Sequence, residues 1–375
     1  MSKAEEHIER LCVGVDLHKT QFTVCAVLED SEVILEAEVY RTTEEGYQAF
    51  SEKMHETENQ RGCSVEIAIE TTGNARFFKN RMEAEGFGVV VVNTSKFKVI
   101  TMSTKKNDAN DAATLAFYLY KEMLPEAHIC DQTSEEIRRM LKTRTILVRT
   151  SVKVKNQIHG MMLGYGIETK SAQLQSKKKR QELFNYLVNH EFSKFTASSL
   201  KVMLDILDDL ADQINKVEAQ LSEMTKEDED IPLLMTVPGI GIISATTIAS
   251  YTKDLERFEG DFRRFASYLG IVPSVHNSNE TVHLGRITKH GPEELRTAFV
   301  QVALGMIRLP HVTEKWRLLI DYKLMKTDKG SGRAIIAMTR KVARIVFTML
   351  QTREPFNPSL MIREMKKPQI ELMGA

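Results

Sequence analysis

The chain has 375 residues, of which 42% are hydrophobic and 27% charged, and 51 basic side chains balance 51 acidic ones at a net charge of zero. This length provides for two or three domains with sizeable cores. No secretory leader, no apolar run long enough to cross a bilayer and no zinc or disulfide pattern among the cysteines is recognisable, which excludes membrane-spanning and disulfide-stapled classes and predicts a cytoplasmic protein.

The zero net charge conceals a strong separation of charge along the chain. Residues 137–182 contain twelve Lys or Arg and two acidic residues, whereas residues 205–230 contain ten acidic residues and two Lys. A segment this one-sided is more typical of phosphate binding than of an ordinary solvated helix face. A nucleic-acid partner is therefore predicted despite the balanced total.

The first 130 residues predict an α/β domain. Alternating, β-branched segments separated by Gly and polar turns are typical of strands. Three early strands, followed by strands that alternate with helices, predict a mixed sheet. The predicted strands are 11–16, 22–28, 33–39, 65–70 and 89–92, and the predicted helices are 44–58, 76–85 and one that begins near 108.

Four acidic residues, the acidic quartet, stand at the ends of these elements. Asp16 lies inside an apolar strand, Glu70 closes another, and Asp108 and Asp111 share one helix face. Converging carboxylates repel one another unless a cation lies among them, and oxygen-rich clusters select Mg²⁺ or Mn²⁺. The quartet predicts a metal site for phosphoryl transfer. A solvated carboxylate, a turn residue at Glu70 and a helix N-cap at Asp108 are the alternatives.

A long basic helix is predicted next. The capping box at Thr133–Glu136 starts a helix near Ser134 that runs to about Met162. Its basic side chains, together with a second cluster shortly after it, predict a surface that binds the nucleic-acid backbone. These residues are Arg138, Arg139, Lys142, Arg144, Arg149, Lys153 and Lys155 in the helix, and Lys177, Lys178, Lys179 and Arg180 in the cluster.

Residues 200–224 repeat apolar side chains in alternating steps of three and four, which is an unbroken heptad seam. The seam predicts either a dimer interface or an internal antiparallel hairpin, and partly apolar flanking positions leave a wider bundle open. The seam consists of Leu200, Met203, Leu207, Leu210, Ile214, Val217, Leu221 and Met224, with Asp205, Asp208, Asp209 and Asp212 outside it.

A Pro-Gly-Ile-Gly turn at residues 238–241 separates an apolar helix end from a helix rich in small residues. The pattern predicts a helix-hairpin-helix, in which Gly239 and Gly241 let the backbone approach a phosphate. A plain turn between two helices is the alternative.

A polar segment at residues 268–291 is predicted to be a loop between helices. It holds Ser278 and ends in Gly-Arg-Ile-Thr-Lys, whose Arg286 and Lys289, together with His276 and His283, are able to bind phosphate. A serine in such a loop is usually a turn residue, so its type and position alone do not make Ser278 a nucleophile.

These motifs, in this order, resemble the Piv-like DNA invertases and the related DEDD-type insertion-sequence transposases, which carry a RuvC-like domain. The resemblance spans about residues 10–345. Its anchors are Val13-Gly-Val-Asp16-Leu-His-Lys, Ile69-Glu70-Thr-Thr-Gly, Lys106-Asn-Asp108-Ala-Asn-Asp111-Ala, Val237-Pro-Gly-Ile-Gly241, Leu269-Gly-Ile-Val-Pro-Ser274 and Gly285-Arg-Ile-Thr-Lys289.

The resemblance implies an α/β plus α fold in four parts. An RNase-H-like (RuvC-like) nuclease domain is expected over residues 8–130, and a basic helix with a coiled-coil oligomerisation region over 131–230. A mainly helical transposase domain with the helix-hairpin-helix is expected over 231–350, and a loosely ordered tail over 351–375.

The resemblance also implies the roles of the site residues. The acidic quartet matches the family's Mg²⁺ (or Mn²⁺) ligands, and Ser278 matches its catalytic serine. The familiar pattern at that serine is Ser-Ser-Gly, whereas this chain has Asn277-Ser278-Asn279, so Ser274 is the fallback.

The function implied is that of a DNA recombinase that cuts and rejoins donor and target DNA through a phosphoserine link. Relatives on the insertion-sequence branch use a structured non-coding RNA that pairs with both DNAs. The resemblance also implies a homo-oligomer, a dimer or tetramer, in which serine and carboxylates come from different subunits. A Holliday-junction-type nuclease that hydrolyses with water, a DNA invertase without RNA, and a nucleic-acid-binding scaffold without chemistry are the alternatives.

Overall fold

A computed structural model of the chain describes residues 9–28, 33–94, 96–97, 107–188, 193–278 and 281–362, without the side chains of residues 187, 276–278 and 281–284. The chain divides into two compact units, Met1–Ile129 and Cys130–Ala375. Within the described ranges, no helix is both long enough and apolar enough to cross a membrane.

The first unit contains the predicted mixed sheet. Its elements are β1 (Arg10–Leu17), β2 (Gln21–Val27), β3 (Val33–Arg41), α1 (Glu44–Arg61), β4 (Ser64–Glu70), α2 (Ala75–Ala84), β5 (Gly88–Val92) and α3 (Asp108–Tyr120). The strands lie in the order β3-β2-β1-β4-β5. Strands β1, β2 and β3 pair antiparallel, whereas β1, β4 and β5 run parallel. The α/β prediction is confirmed, and its element boundaries differ from the observed ones by a few residues at most.

Side chains of β1 alternate between the two faces of the sheet, as strand geometry requires. Leu11 and Val13 are fully buried in a core that covers one face. Cys12 belongs to a separate cluster on the other face, where it packs with Leu115 of α3. Asp16 shares the parity of Cys12, so it lies on the face that α3 covers.

Gly14 is the point at which α3 approaches β1 most tightly. A Cβ atom at Gly14 would lie 2.0 Å from the carbonyl oxygen of Ala112 and 2.5 Å from the backbone nitrogen of Ala116. Only glycine allows the two backbones to come this close. Because Asp108 precedes Ala112 by one helical turn, the same contact sets the first turn of α3 beside the end of β1, where Asp16 lies.

We expect Gly14→Ala to destabilise the first unit by about 3 kcal/mol, because the new methyl group overlaps backbone atoms of α3. Gly88→Ala is the matched control in the same sheet, since its Cβ would meet only the Glu66 Cγ at 3.8 Å. Its effect should stay within about 0.5 kcal/mol. Chemical denaturation measures both variants, and equal losses in the two would contradict a tight approach at Gly14.

The second unit consists of helices and one β-hairpin. Its elements are α4 (Gln132–Gly164), α5 (Lys177–Val188), α6 (Lys194–Met224), α7 (Asp230–Met235), α8 (Ile242–Thr252), α9 (Phe262–Tyr268), β6 (Pro273–Ser278), β7 (Thr281–Ile287), α10 (Glu293–Ile307), α11 (Pro310–Thr313), α12 (Arg317–Lys329) and α13 (Ser331–Thr352). The prediction of a loop over 268–291 is wrong in part, because β6 and β7 pair antiparallel there. Val275, Val282 and Ile287 alternate with polar residues and favour strands.

Helix α4 begins earlier than the capping-box pattern predicts. Asp131 is the N-cap, and its side chain accepts a hydrogen bond from the Ser134 backbone nitrogen at 2.8 Å. The prediction of a start near Ser134 is therefore wrong by two residues. Asp caps a helix as well as Ser does, and the structure uses the earlier of the available capping residues.

The heptad seam of α6 packs against α4 of the same chain, in the antiparallel sense. Ile158 near the end of α4 clusters with Leu204 near the start of α6, whereas Ile137 at the start of α4 clusters with Leu221 at the end of α6. The internal hairpin is thus the alternative observed. Leu204 flanks the seam and is buried, while Met224 within the seam is 36% exposed, so the buried stripe does not coincide with the strict heptad seam.

Part of the segment predicted to be a loosely ordered tail, 351–375, is packed in the structure. Helix α13 continues to Thr352, and Phe356 beyond it is buried with its ring centroid 5.4 Å from that of Trp316. Ile362 also forms a β-bridge with Trp316. Burial of the two aromatic rings accounts for the packing of this segment. Residues 363–375 lie outside the described part of the chain.

Candidate functional site

Helix α3 presents two acidic residues in its first turn. Its N-cap is Asn107, whose side chain accepts hydrogen bonds from the backbone nitrogens of Ala109 and Asn110 at 2.6 and 3.3 Å. The alternative of Asp108 as the N-cap is therefore wrong, and its carboxylate is left for other partners. Acidic side chains are stabilised in a first turn by the helix dipole, which favours Asp108 and Asp111 at these positions.

Asp16 and Asp108 meet at His18. The His18 Nε2 atom lies 3.1 Å from Asp16 Oδ2 and 3.6 Å from Asp108 Oδ1. The Asp16 side chain is 15% exposed, whereas those of His18 and Asp108 are about half exposed. One ligand atom from each residue lies within 4.8 Å of the other two. Among the residues that the structure describes, this is the one group of three or more His, Cys, Asp or Glu side chains close enough to share a metal ion.

Glu70 and Asp111 lie around the same end of the sheet. Glu70 is the last residue of β4, which runs parallel to β1 with Ile69 opposite Val15. Asp16 and Glu70 each follow that pair by one residue, so their side chains leave the same face of neighbouring strands. Asp111 is near enough to Asp16 to influence its ionisation. Of the predicted quartet, the structure brings Asp16 and Asp108 together with His18, whereas Glu70 and Asp111 lie outside that close group. Lys106, from the same motif, lies outside the described residues.

Burial raises the pKa of the Asp16 carboxyl above its ordinary value. The His18 imidazole opposes this shift, while the Asp108 and Asp111 carboxylates add to it. Like charges thus crowd at this end of the sheet. The donor set fits a divalent cation, because carboxylate oxygens suit Mg²⁺ and Mn²⁺ and the positive charge would offset their repulsion.

His18 is the member of the site that the sequence reasoning missed. It stands two residues after Asp16, at the end of a strand, and this spacing puts two side chains on the same face. The signal available in the sequence was an acidic residue and a histidine two positions apart at the end of a strand. The signal is weak, since its meaning depends on Asp108, which arrives from a helix about ninety residues later.

The basic residues of α4 fall into two groups. Lys142, Arg149 and Lys153 are exposed, and the ion pair of Arg149 with Glu293 at 3.4 Å is exposed on both sides, so it stabilises little. Arg139 is exposed and pairs with Glu135 one turn away, and Lys155 is half-buried.

Arg138 and Arg144 hold the fold together. Arg138 donates from Nε to the Ser250 carbonyl oxygen at 3.0 Å, and its guanidinium lies 4.0 Å from the centroid of the Tyr251 ring. Arg144 donates from Nε to Glu218 of α6 at 2.7 Å. Both residues therefore have a structural role, because their guanidinium groups already have partners within the fold.

The second basic cluster is divided in the same way. Lys177, Lys178 and Lys179 are exposed at the start of α5. Arg180 is 5% exposed and donates from Nε to Asp208 Oδ1 at 2.7 Å. Its guanidinium is not available to a phosphate unless that buried ion pair breaks, which is costly.

The Pro-Gly-Ile-Gly turn joins α7 and α8. Gly239 has a φ of +91°, and a Cβ there would lie 3.2 Å from backbone atoms of Val302 and Met306 in α10. Gly305 in turn lies against Gly239. Packing on α10 therefore accounts for Gly239, whereas Gly241 is the N-cap of α8 with open space around it.

Ser278 is the last residue of β6 and pairs with Thr281 of β7. Its side chain, like those of His276 and His283, lies outside the described part of the chain. The side chain of Ser274, in contrast, is described, and its hydroxyl packs directly over Gly285 of β7. A Cβ atom at Gly285 would lie 2.3 Å from the Ser274 Oγ. Arg286 and Lys289 are exposed at the end of this hairpin.

Comparison with known sequences decides the family. A model of DEDD transposases of the IS110 type matches residues 13–167, which include the whole quartet. A model described as the transposase IS116/IS110/IS902 family matches residues 231–317, which include Ser278. The chain belongs to the IS110 family of DEDD transposases.

Relatives extend this similarity over nearly the full length. The transposase for insertion sequence element IS1111A of Coxiella burnetii is 25% identical over 92% of this chain and 90% of its own. The transposase for insertion sequence element IS1328 of Yersinia enterocolitica is 26% identical over 76% of this chain and 83% of its own. This IS110-family transposase is thus an enzyme of DNA recombination, and membership of a DEDD family implies a divalent metal ion and DNA as the substrate.

We expect Asp16→Asn to raise the unfolding temperature of the metal-free protein at pH 7. Because folding raises the pKa of the Asp16 carboxyl, this group contributes stability at pH values below its unfolded pKa of about 3.9. That contribution is lost as the pH rises through the folded pKa. The parent, but not the variant, should gain about 2.7 kcal/mol when free Mg²⁺ or Mn²⁺ is a hundredfold above its Kd. Thermal unfolding by circular dichroism measures both effects. An equal response of the two proteins to the metal would argue against Asp16 as a ligand.

Proposed function

We propose that this transposase cuts and rejoins DNA through a covalent link to Ser278, with a divalent cation at the acidic quartet and a structured non-coding RNA as guide. The observation that carries the proposal is the gathering of Asp16, His18 and Asp108 within 4.8 Å at one end of the sheet. Two carboxylates that repel one another, one of them mostly buried, serve no purpose in packing, so a functional role explains them better than a structural one.

An RNase-H-like fold for the first unit is part of the proposal. The strand order β3-β2-β1-β4-β5 supports it, with three antiparallel strands followed by two parallel ones. In this arrangement β1 is the central strand, and its end carries Asp16. A helix-hairpin-helix at α7 and α8 is also proposed, with Gly241 as the position open to a phosphate.

The reaction exchanges one phosphoester bond for another. The Ser278 hydroxyl oxygen attacks a backbone phosphorus, the bond from that phosphorus to one strand end breaks, and the serine proton passes in net terms to the leaving oxygen. A hydroxyl group of a second strand then attacks the phosphoserine link and releases the serine. The number of phosphoester bonds is unchanged, so no ATP is needed. Asp16, Glu70, Asp108 and Asp111 would hold the cation, which when bound would supply positive charge near the transferring phosphoryl group.

The exposed basic side chains are proposed to hold the backbone of DNA or of the guide RNA. The members that are exposed in the structure carry this proposal better than Arg138 and Arg180, whose guanidinium groups already have partners in the fold. The proposed contacts are those of the half-buried Lys155 and of the exposed Arg139, Lys142, Arg149, Lys153, Lys177, Lys178, Lys179, Arg286 and Lys289.

A homo-oligomer is also proposed, as a dimer or tetramer. The α4–α6 hairpin leaves Ile146 and Val152 of α4 and Val202 and Ile206 of α6 between 40% and 58% exposed. We take these four exposed apolar side chains as the support for a surface that packs against another copy. The buried heptad stripe serves the hairpin itself, so these outer residues are the better support for assembly.

To test the serine chemistry, the protein is incubated with DNA from the ends of the element and with the guide RNA. The mixture is then denatured and examined for protein that is covalently linked to DNA. We expect an adduct in the parent and none in Ser278→Ala. Ser274→Ala is the matched comparison, because Ser274 is the fallback nucleophile and its hydroxyl packs over Gly285. We expect this variant to keep the adduct, and loss of the adduct in Ser274→Ala with retention in Ser278→Ala would make Ser274 the nucleophile. Cleavage that persists in Ser278→Ala, with no adduct in the parent, would favour the Holliday-junction-type nuclease.

The nucleic-acid surface is tested through salt dependence. Each phosphate contact contributes a slope of about −0.9 to log K against log salt for B-DNA. We expect Lys142→Ala with Lys153→Ala to weaken binding evenly across sequences and to reduce the slope by about two. Lys216→Ala, an exposed lysine on the acidic helix α6, is the matched control and should change neither quantity. An unchanged slope in the double variant would remove these residues from the interface.

A further inference from the structure

His18 lies where a third ligand of one metal ion would lie. In octahedral coordination with bonds of about 2.1 Å, neighbouring ligands are roughly 3 Å apart and opposite ones roughly 4.2 Å. The distances of 3.1 and 3.6 Å from His18 Nε2 to the two carboxylate oxygens, and the limit of 4.8 Å on the whole group, match a shared ion.

The backbone around His18 is held on both sides. Its backbone nitrogen donates to the Gln21 carbonyl oxygen at 3.0 Å. Its own carbonyl oxygen accepts a hydrogen bond from Asn74 Nδ2 at 3.1 Å, and Asn74 accepts one from the Thr72 hydroxyl at 3.0 Å. The histidine is therefore fixed relative to both β1 and the segment after Glu70. Fixing the main chain at His18 restricts where its imidazole can lie relative to Asp16.

An ordinary surface ion pair is the competing explanation for this imidazole. His55 and Glu58 form such a pair, with Nδ1 and Oε2 3.1 Å apart on one helix face. His18 differs because it lies between two carboxylates from separate elements, and because one of them, Asp16, is mostly buried. A surface ion pair needs one carboxylate beside the histidine, so it leaves Asp108 unexplained. A metal site needs several ligands and therefore explains both Asp16 and Asp108.

We propose that His18 is a nitrogen ligand of the divalent cation, so that this site favours Mn²⁺ over Mg²⁺ more strongly than an all-carboxylate site does. The inference rests on the metal site of the proposed function. Mg²⁺ is a hard cation that takes oxygen ligands, whereas first-row transition metals also accept neutral imidazole. Nε2, the atom facing both carboxylates, is the nitrogen that would coordinate.

The test uses the full-length, metal-free protein with Mn²⁺ alone as the probe. Pulsed electron paramagnetic resonance of bound Mn²⁺ should show coupling to one ¹⁴N nucleus, and the coupling should change to that of ¹⁵N in protein labelled with ¹⁵N-histidine. This comparison needs no substitution, so it does not depend on the folding of a variant. His18→Gln should lose the coupling and weaken Mn²⁺ binding by at least about tenfold in calorimetry. Mg²⁺ binding should weaken less.

His55→Gln is the matched control, since it removes a histidine paired with a carboxylate outside the site. It should keep the nitrogen coupling and the Mn²⁺ affinity of the parent. Bound Mn²⁺ without nitrogen coupling in the parent would overturn the role of His18 and leave the carboxylate site standing. If Mn²⁺ fails to bind, or binds equally well to Asp16→Asn, both the ligand role of His18 and the metal site at the quartet are overturned.

Discussion

The close approach of α3 to β1 at Gly14 is the constraint on which the metal-site geometry depends. Strand alternation places Gly14 and Asp16 on one face, and the missing Cβ of Gly14 lets the backbone of Ala112 and Ala116 occupy its place. Asp108 then falls one turn before this contact, next to the end of β1. A side chain at position 14 would move the helix outward, and the distance between the two carboxylates would grow with it.

Bringing these carboxylates together has an electrostatic cost, which raises the pKa of Asp16. Three features offset part of it without a metal. The N-terminal end of α3 places its partial positive charge beside Asp108, the His18 imidazole lies between Asp16 and Asp108, and half of the Asp108 side chain stays in water. The remaining repulsion is the physical reason to expect that a cation stabilises this part of the fold.

The sequence predicts well what local pattern decides. Alternation and turn residues set the strands of the first unit, and the four acidic positions are predicted from their places in those elements. Features that depend on distant partners were missed. The heptad seam predicts that Leu207 and Leu221 are buried, but it does not show whether the helix that packs on them belongs to the same chain or to a second copy. Likewise, nothing local to Arg180 indicates that Asp208 takes up its guanidinium.

The separation of charge along the chain also has an internal explanation that the sequence alone did not reveal. The basic helix α4 lies against the acidic helix α6, and Arg144 with Glu218 bridges the two. A similar pairing joins α5 to α6 through Arg180 and Asp208. Part of the positive charge is thus neutralised within the hairpin. The surplus is concentrated on exposed lysines such as Lys142 and Lys153, which is why they, rather than the total charge, define the proposed interface.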